Sequence, residues 1–123
     1  VFTRKAHTDL SYLACAKILL ESDYLYPQFA THNAITTAAI LELGQGKKFE
    51  FQRLHGMGEA LHRHLMQTAK VKSRIYAPVG PYRDLLPYLI RRLLENGANS
   101  SFVHAAADLD IPVTKLLQNP LEI

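Results

Sequence analysis

The sequence predicts an α/β fold of about four strand–helix units on a parallel sheet or barrel. Three observations carry that reading. Short runs of strand character recur at roughly 22–27 residues, the period of a βα unit. Apolar residues at helical spacing lie between them, most clearly Leu85, Leu86, Leu89, Ile90, Leu93 and Leu94. Each strand run ends in polar residues, and in β/α architectures those ends share one rim, where ligands bind.

Val1–Lys5 reads as the first strand, with Val1, Thr3 and Lys5 on one side. Thr8 or Asp9 is placed to cap a helix running to about Glu21. Leu10, Leu13, Ala14, Ile18 and the stem of Lys17 mark its packing side. Cys15 lies on this helix and reads as a buried, inert thiol; as the only cysteine, it excludes an intrachain disulfide. Asp23–Pro27 turns the chain into a second strand, Gln28–Asn33, which closes on the polar triplet Thr31, His32 and Asn33.

A helix over about Ile35–Leu43 stops at Gly44. Phe49–Leu54 alternates as the third strand, and His55–Gly58 makes a flexible turn. Glu59 to about Thr68 is the third helix, with Leu61, Leu65 and Met66 as its core contacts. The fourth strand is Arg74–Val79, broken by Gly80-Pro81. Asp84 is placed as the N-cap of a long helix near 84–96, with Pro87 in its first turn and Asn96-Gly97 at its end. Ser100 and Ser101 belong to the turn after it, and Val113–Gln118 forms one or two further helical turns.

Composition narrows the function. The 123 residues are 48% hydrophobic and 20% charged, ordinary for a globular domain. No apolar run approaches the ~20 residues that cross a bilayer. No long apolar stretch follows Arg4 and Lys5, so no signal peptide is read. The net charge of +3 is spread along the chain without aromatic interleaving, which argues against nucleic acid. His32, His55, His62 and His64 do not supply a metal-ligand set, and no nucleophile–base–orienter arrangement stands out. No metal and no catalytic residue is assigned.

Tyr88, Arg91, Arg92 and Glu95 fall at i, i+3, i+4 and i+7 and share the polar stripe of the last long helix. On spacing alone this is first a solvated helix face with one i,i+4 ion pair. It is second a grip for a small carboxylate, since two guanidiniums offer forked hydrogen bonds.

The same residues carry a resemblance. RIYAPVG and LLPYLIRRLLENGANSSFV, preceded in order by VFTRKAHTDLSYLACA, YPQFATHNA and FEFQRLHGMGEAL, resemble the proline dehydrogenase family. Within it they are most similar to the bifunctional bacterial proline-utilisation flavoproteins, proline dehydrogenase joined to pyrroline-5-carboxylate dehydrogenase. The resemblance implies the C-terminal portion, about four βα units, of a (β/α)8 TIM-like barrel. It places 1–103 in that half-barrel and 104–123 in a connector.

The function implied is FAD-dependent oxidation of L-proline to pyrroline-5-carboxylate in proline catabolism. The resemblance assigns the substrate carboxylate to Arg91 and Arg92, and aromatic packing beside the proline ring to Tyr76 and Tyr88. Leu54 becomes an apolar wall. Thr3, Arg4, Lys5, Thr31, His32, Asn33 and Glu95 become flavin-binding, with FAD as cofactor. It further implies binding of carboxylate analogues, a quinone acceptor at the membrane surface, and a cytoplasmic protein peripheral to the inner membrane.

Gly80-Pro81-Tyr82 and Ile35 stand where relatives often carry histidine. The family's early-barrel lysine and its Arg-containing strand beside flavin N5 have no counterpart here, so the chain reads as a fragment inactive alone. Two other functions compete: a non-catalytic half-barrel that self-associates as a homo-oligomer through its open edges, and a generic anion-binding α/β module.

Overall fold

The computed structural model describes residues 2–98 and 102–119. They form two compact units, one built on the residues up to Tyr76 and one on Ala77–Gln118. Val1, Ser100 and Ser101 lie outside the described residues.

The first unit begins with a helix rather than a strand. α1 runs Lys5–Glu21, and only its approach is extended, with Arg4 at φ −113° and ψ 134°. Thr8 and Asp9 are therefore inside the helix and cap nothing. Lys5 instead pairs with Asp9 one turn on, a contact that exists only if the helix has begun by Lys5. The packing side also differs from expectation. Ala16 and Leu20 are buried, with Tyr12 and Leu13 packed alongside. Leu10 and Ile18 are exposed, as is the Cys15 thiol. Apolar residues ring this helix, so periodicity selects no single face, and the small Ala16 decides which side comes close.

β1 (Gln28–Ala30), β2 (Glu50–Leu54) and β3 (Lys72–Tyr76) form a parallel sheet in that order. α2 (Ala34–Leu43) and α3 (Glu59–Thr68) are the two crossovers. β1 is shorter than expected because Asn33 is already the N-cap of α2. β3 sits two residues earlier than the alternation suggests. Its register against β2, Glu50 to Lys72 through Leu54 to Tyr76, uses all of β2 and leaves Ala77–Val79 without strand structure. Pro78 could not have donated to a ladder there.

One face of the sheet carries the core. Phe29, Phe49 and Phe51 meet edge-on or tilted at centroid distances of 5.6–6.5 Å. Ala16, Leu20, Ile40 and Leu65 close around them. Met66, expected in this core, is exposed; its place is taken by His62, 1% exposed. Gly44 is buried at the end of α2, and a Cβ there would lie 2.4 Å from Phe49 Cε1 and 2.9 Å from the Ile40 carbonyl.

In the second unit α4 spans Tyr82–Gly97, with Pro81 as N-cap and no side-chain cap. Asp84 is in the first turn, where its charge suits the helix dipole, and Asp84 N–H donates to the Pro81 carbonyl at 3.0 Å. The early start puts Pro87 in the second turn, where it removes the bond to Arg83. Leu86, Leu89, Ile90, Leu93 and Leu94 are all at least 38% exposed. α5 (Phe102–Ala107) and α6 (Val113–Leu116) complete the unit.

Candidate active site

A capped turn fixes the rim after β1. Asn33 Oδ1 accepts from the N–H groups of Ile35 at 2.9 Å and Thr36 at 3.3 Å, which ends β1 and starts α2. Thr31 Oγ1 accepts from Asn33 N–H at 3.1 Å. The acceptors of both side chains are thus used locally, and the Thr31 hydroxyl hydrogen and Asn33 Nδ2 remain as donors. His32 lies against Gly58, which is left-handed at φ 64° and caps α3. A Cβ on Gly58 would meet His32 Cδ2 at 2.7 Å. The turn therefore offers donors, and its His32 lies beside a left-handed backbone position that favours glycine.

Beneath the turn is His62. Its Nδ1 is 2.6 Å from Ser73 Oγ and its Nε2 3.4 Å from the Thr31 carbonyl. The carbonyl can only accept, so Nε2 carries the proton and Nδ1 accepts from the serine. Burial holds this imidazole below the usual histidine range, with the positive field of Arg53 in the same direction and the Thr31 bond opposing. It is a neutral bridge joining α3, β3 and the end of β1.

The sheet face opposite the phenylalanines is polar at its base. Glu50, 2% exposed, accepts from Arg74 Nε at 2.5 Å and Nη2 at 3.0 Å. It also accepts from Gln28 at 2.8 Å, Gln52 at 3.3 Å and the Tyr26 hydroxyl at 3.4 Å. The Arg74 bonds hold its carboxyl down at about 2, against burial and with help from the two amides. Towards the strand ends the face turns apolar. Leu54 is 6% exposed and half-buried Tyr76 is its register partner. His55 N–H donates to the Tyr76 carbonyl at 2.8 Å.

In the second unit the polar stripe of α4 is organised around Arg92. Its Nη1 lies 2.9 Å from Glu95 Oε2, and its guanidinium carbon 5.5 Å from the Tyr88 ring centroid. The ion pair is i,i+3, where the spacing had suggested i,i+4 from Arg91. Arg92 Nε is buried with no hydrogen-bond partner among the described residues. Arg91 is exposed. One guanidinium is thus fixed with a donor unspent, and its neighbour is free to adjust.

The sequence-predicted residues divide accordingly. Thr31, His32, Asn33, Leu54 and Tyr76 gather at the strand ends of the first unit; Tyr88, Arg91, Arg92 and Glu95 share one face of α4 in the second. Thr3, Arg4 and Lys5 do not end a strand. They are exposed at the start of α1. Glu50, Arg74 and His62 were missed. Among the described residues no grouping of three or more His, Cys, Asp or Glu could hold a metal ion.

Comparison with known proteins places the chain in one family. The family described as Proline dehydrogenase matches residues 1–105. The bifunctional protein PutA of Salmonella typhimurium is 54% identical over 134 residues, covering 99% of this chain and 10% of that protein. Proline dehydrogenase 1 of Bacillus subtilis is 33% identical over 107 residues, 83% of this chain. A solved structure of a variant of Bradyrhizobium japonicum proline utilization A superimposes with a TM-score of 0.93 at 62% identity, over 99% of this chain and 13% of that one. The chain spans about 10% of the length of the curated PutA relatives.

Proposed function

The chain belongs to the proline dehydrogenase family, and on that premise we propose that it is the segment of a PutA-type protein that binds the carboxylate of L-proline. In this reading 1–103 is the C-terminal half of a (β/α)8 barrel and 104–123 the connector leaving it. The reaction is oxidation of L-proline to pyrroline-5-carboxylate, with FAD, when bound, accepting the hydride equivalent. A quinone at the membrane surface takes the electrons, in a cytoplasmic protein peripheral to the inner membrane.

The residues have separate duties. Arg91 and Arg92 bind the substrate carboxylate, Tyr88 and Tyr76 pack beside its ring, and Leu54 supplies an apolar wall. Glu95 orients Arg92. Thr31, His32 and Asn33 donate to the acceptor-rich parts of FAD, and Thr3, Arg4 and Lys5 meet its phosphates. The donor set of the Thr31–Asn33 turn suits such a ligand, because its acceptors are already spent on the backbone.

The observation that carries the reading is the unspent Nε–H of Arg92, on a guanidinium already fixed by Glu95 and Tyr88. An unmet buried donor carries a cost, and a carboxylate bound at this guanidinium would relieve it with a charge-assisted bond. The test is binding of L-proline and of carboxylate analogues to the full-length protein, with inorganic phosphate as competitor. Saturable proline binding unaffected by phosphate supports the proposal; preferential phosphate binding supports a generic anion module instead. The isolated 123-residue segment is expected not to reduce a dye acceptor with proline.

A further inference from the structure

His62 is not among the residues given a role in binding above, yet it is the most buried of the polar and charged side chains described in the first unit. It is 1% exposed, stands edge-on to Phe51 at 6.3 Å, and has both ring nitrogens engaged. An imidazole is an expensive core residue when an apolar one would fill the space. What it adds is reach: from α3 it contacts Ser73 on β3 and the carbonyl of Thr31 at the end of β1. It also stands over the helix start at Gly58, since a Cβ on Gly58 would come within 3.5 Å of His62 Cδ2 and 2.7 Å of His32 Cδ2. Gly58 thus lies close to both imidazoles, the buried one below the rim and the one on it.

We propose that His62 is a positioning residue for flavin binding: its Nε2–H holds the Thr31 carbonyl, Ser73 fixes the ring by donating to Nδ1, and the Thr31–Asn33 donors are thereby presented as one set. The proposal rests on the reading of that turn as flavin-binding. It assigns His62 no contact with substrate or cofactor. The neutral state that burial imposes on His62 is the one in which Nε2 donates while Nδ1 accepts.

The experiment uses the full-length protein and three variants: His62→Leu, Ser73→Ala and, as a packing control, Leu65→Ala. Leu65 is a buried apolar residue of the core of that unit, and its side chain takes part in none of the turn's hydrogen bonds. FAD affinity is measured by titrating the apoprotein with FAD, and the flavin midpoint potential by spectroelectrochemistry. His62→Leu is expected to weaken FAD binding about tenfold, the effect of one hydrogen bond, and to shift the potential. Ser73→Ala creates little cavity and is expected to do the same to a smaller degree. Leu65→Ala is expected to lower the melting temperature while leaving both flavin readouts unchanged.

If His62→Leu and Ser73→Ala bind FAD with wild-type affinity and potential, the positioning role is overturned while the flavin reading stands. The role is equally overturned if Leu65→Ala moves both flavin readouts as far as they do. Wild-type protein that binds no FAD overturns both. Should His62→Leu fail to fold, Ser73→Ala alone decides, because its loss removes a bond and not a core side chain.

Discussion

Arg92 Nη1 lies 2.9 Å from Glu95 Oε2 one turn along α4, and the same guanidinium lies 5.5 Å from the Tyr88 ring. Its orientation is set before any ligand arrives, so less side-chain entropy is lost on binding than for a free arginine. Arg91, one position earlier and ~100° around the helix, is exposed. The pair is unequal.

Substitution of either arginine in the full-length protein is expected to weaken proline binding while flavin content stays largely intact. Loss of a charge-assisted hydrogen bond corresponds to ~1.5–3 kcal/mol, roughly ten- to a hundred-fold in affinity. Arg92→Met should fall nearer the upper end and Arg91→Met nearer the lower. Glu95→Gln, which removes the charge of the ion pair but keeps an amide oxygen able to accept from Arg92, should weaken proline binding by less than either. Proline affinity and flavin occupancy of the three variants check this ordering.

Asn33 caps α2, and in the proposed function it also donates to the flavin, so two substitutions should separate the two duties. Asn33→Ala removes the cap of α2 and should cost about 1 kcal/mol of stability. Asn33→Asp keeps the capping oxygen and should restore stability, but it replaces the Nδ2 donor with a second acceptor. Denaturant unfolding and FAD titration on the two variants should therefore disagree. Stability returns with Asp and flavin affinity does not.

How much of this was legible beforehand depended on whether a feature is local. The polar ends of β1 and β2, the Gly44 stop and the stripe Tyr88–Glu95 are each written in a few neighbouring residues, and they stand where the sequence put them. Glu50 is the opposite case. Alternating beside Phe49 and Phe51, it reads as the wet side of a strand, and only the register brings Gln28 and Arg74, 22 and 24 residues away, onto its carboxylate. His62 was hidden in the same way, because its partners Thr31 and Ser73 come from two other elements. The strand expected at 1–5 failed for a different reason. Alternation over five residues cannot distinguish a strand from the extended approach to a helix.

Gly44 should tolerate no side chain. A Cβ there would meet Phe49 Cε1 at 2.4 Å and the Ile40 carbonyl at 2.9 Å. The backbone oxygen cannot yield as a side-chain end can. Gly44→Ala is expected to destabilise the protein by about 1–3 kcal/mol, the range for overpacking, read as a lower denaturant midpoint at unchanged slope.

Glu50 predicts an acid limb of stability. Its carboxyl is held at about 2 in the fold against 4.5 in a free side chain. The unfolded chain thus binds more protons between these values, and stability falls as pH falls. The contribution is complete above about 4.5 and is lost progressively towards 2. Glu50→Gln should flatten that limb. Unfolding free energy from pH 6 down to about 2.5 in wild type and variant checks it; parallel curves would show that the Arg74 pair is not its source.

The central claim is met most directly by anaerobic titration of the purified full-length protein with L-proline, following the visible absorbance of bound FAD. The account predicts saturable, proline-dependent bleaching whose half-saturation concentration rises roughly ten- to a hundred-fold in Arg92→Met. A protein that carries no flavin, or flavin that proline does not bleach, would contradict it.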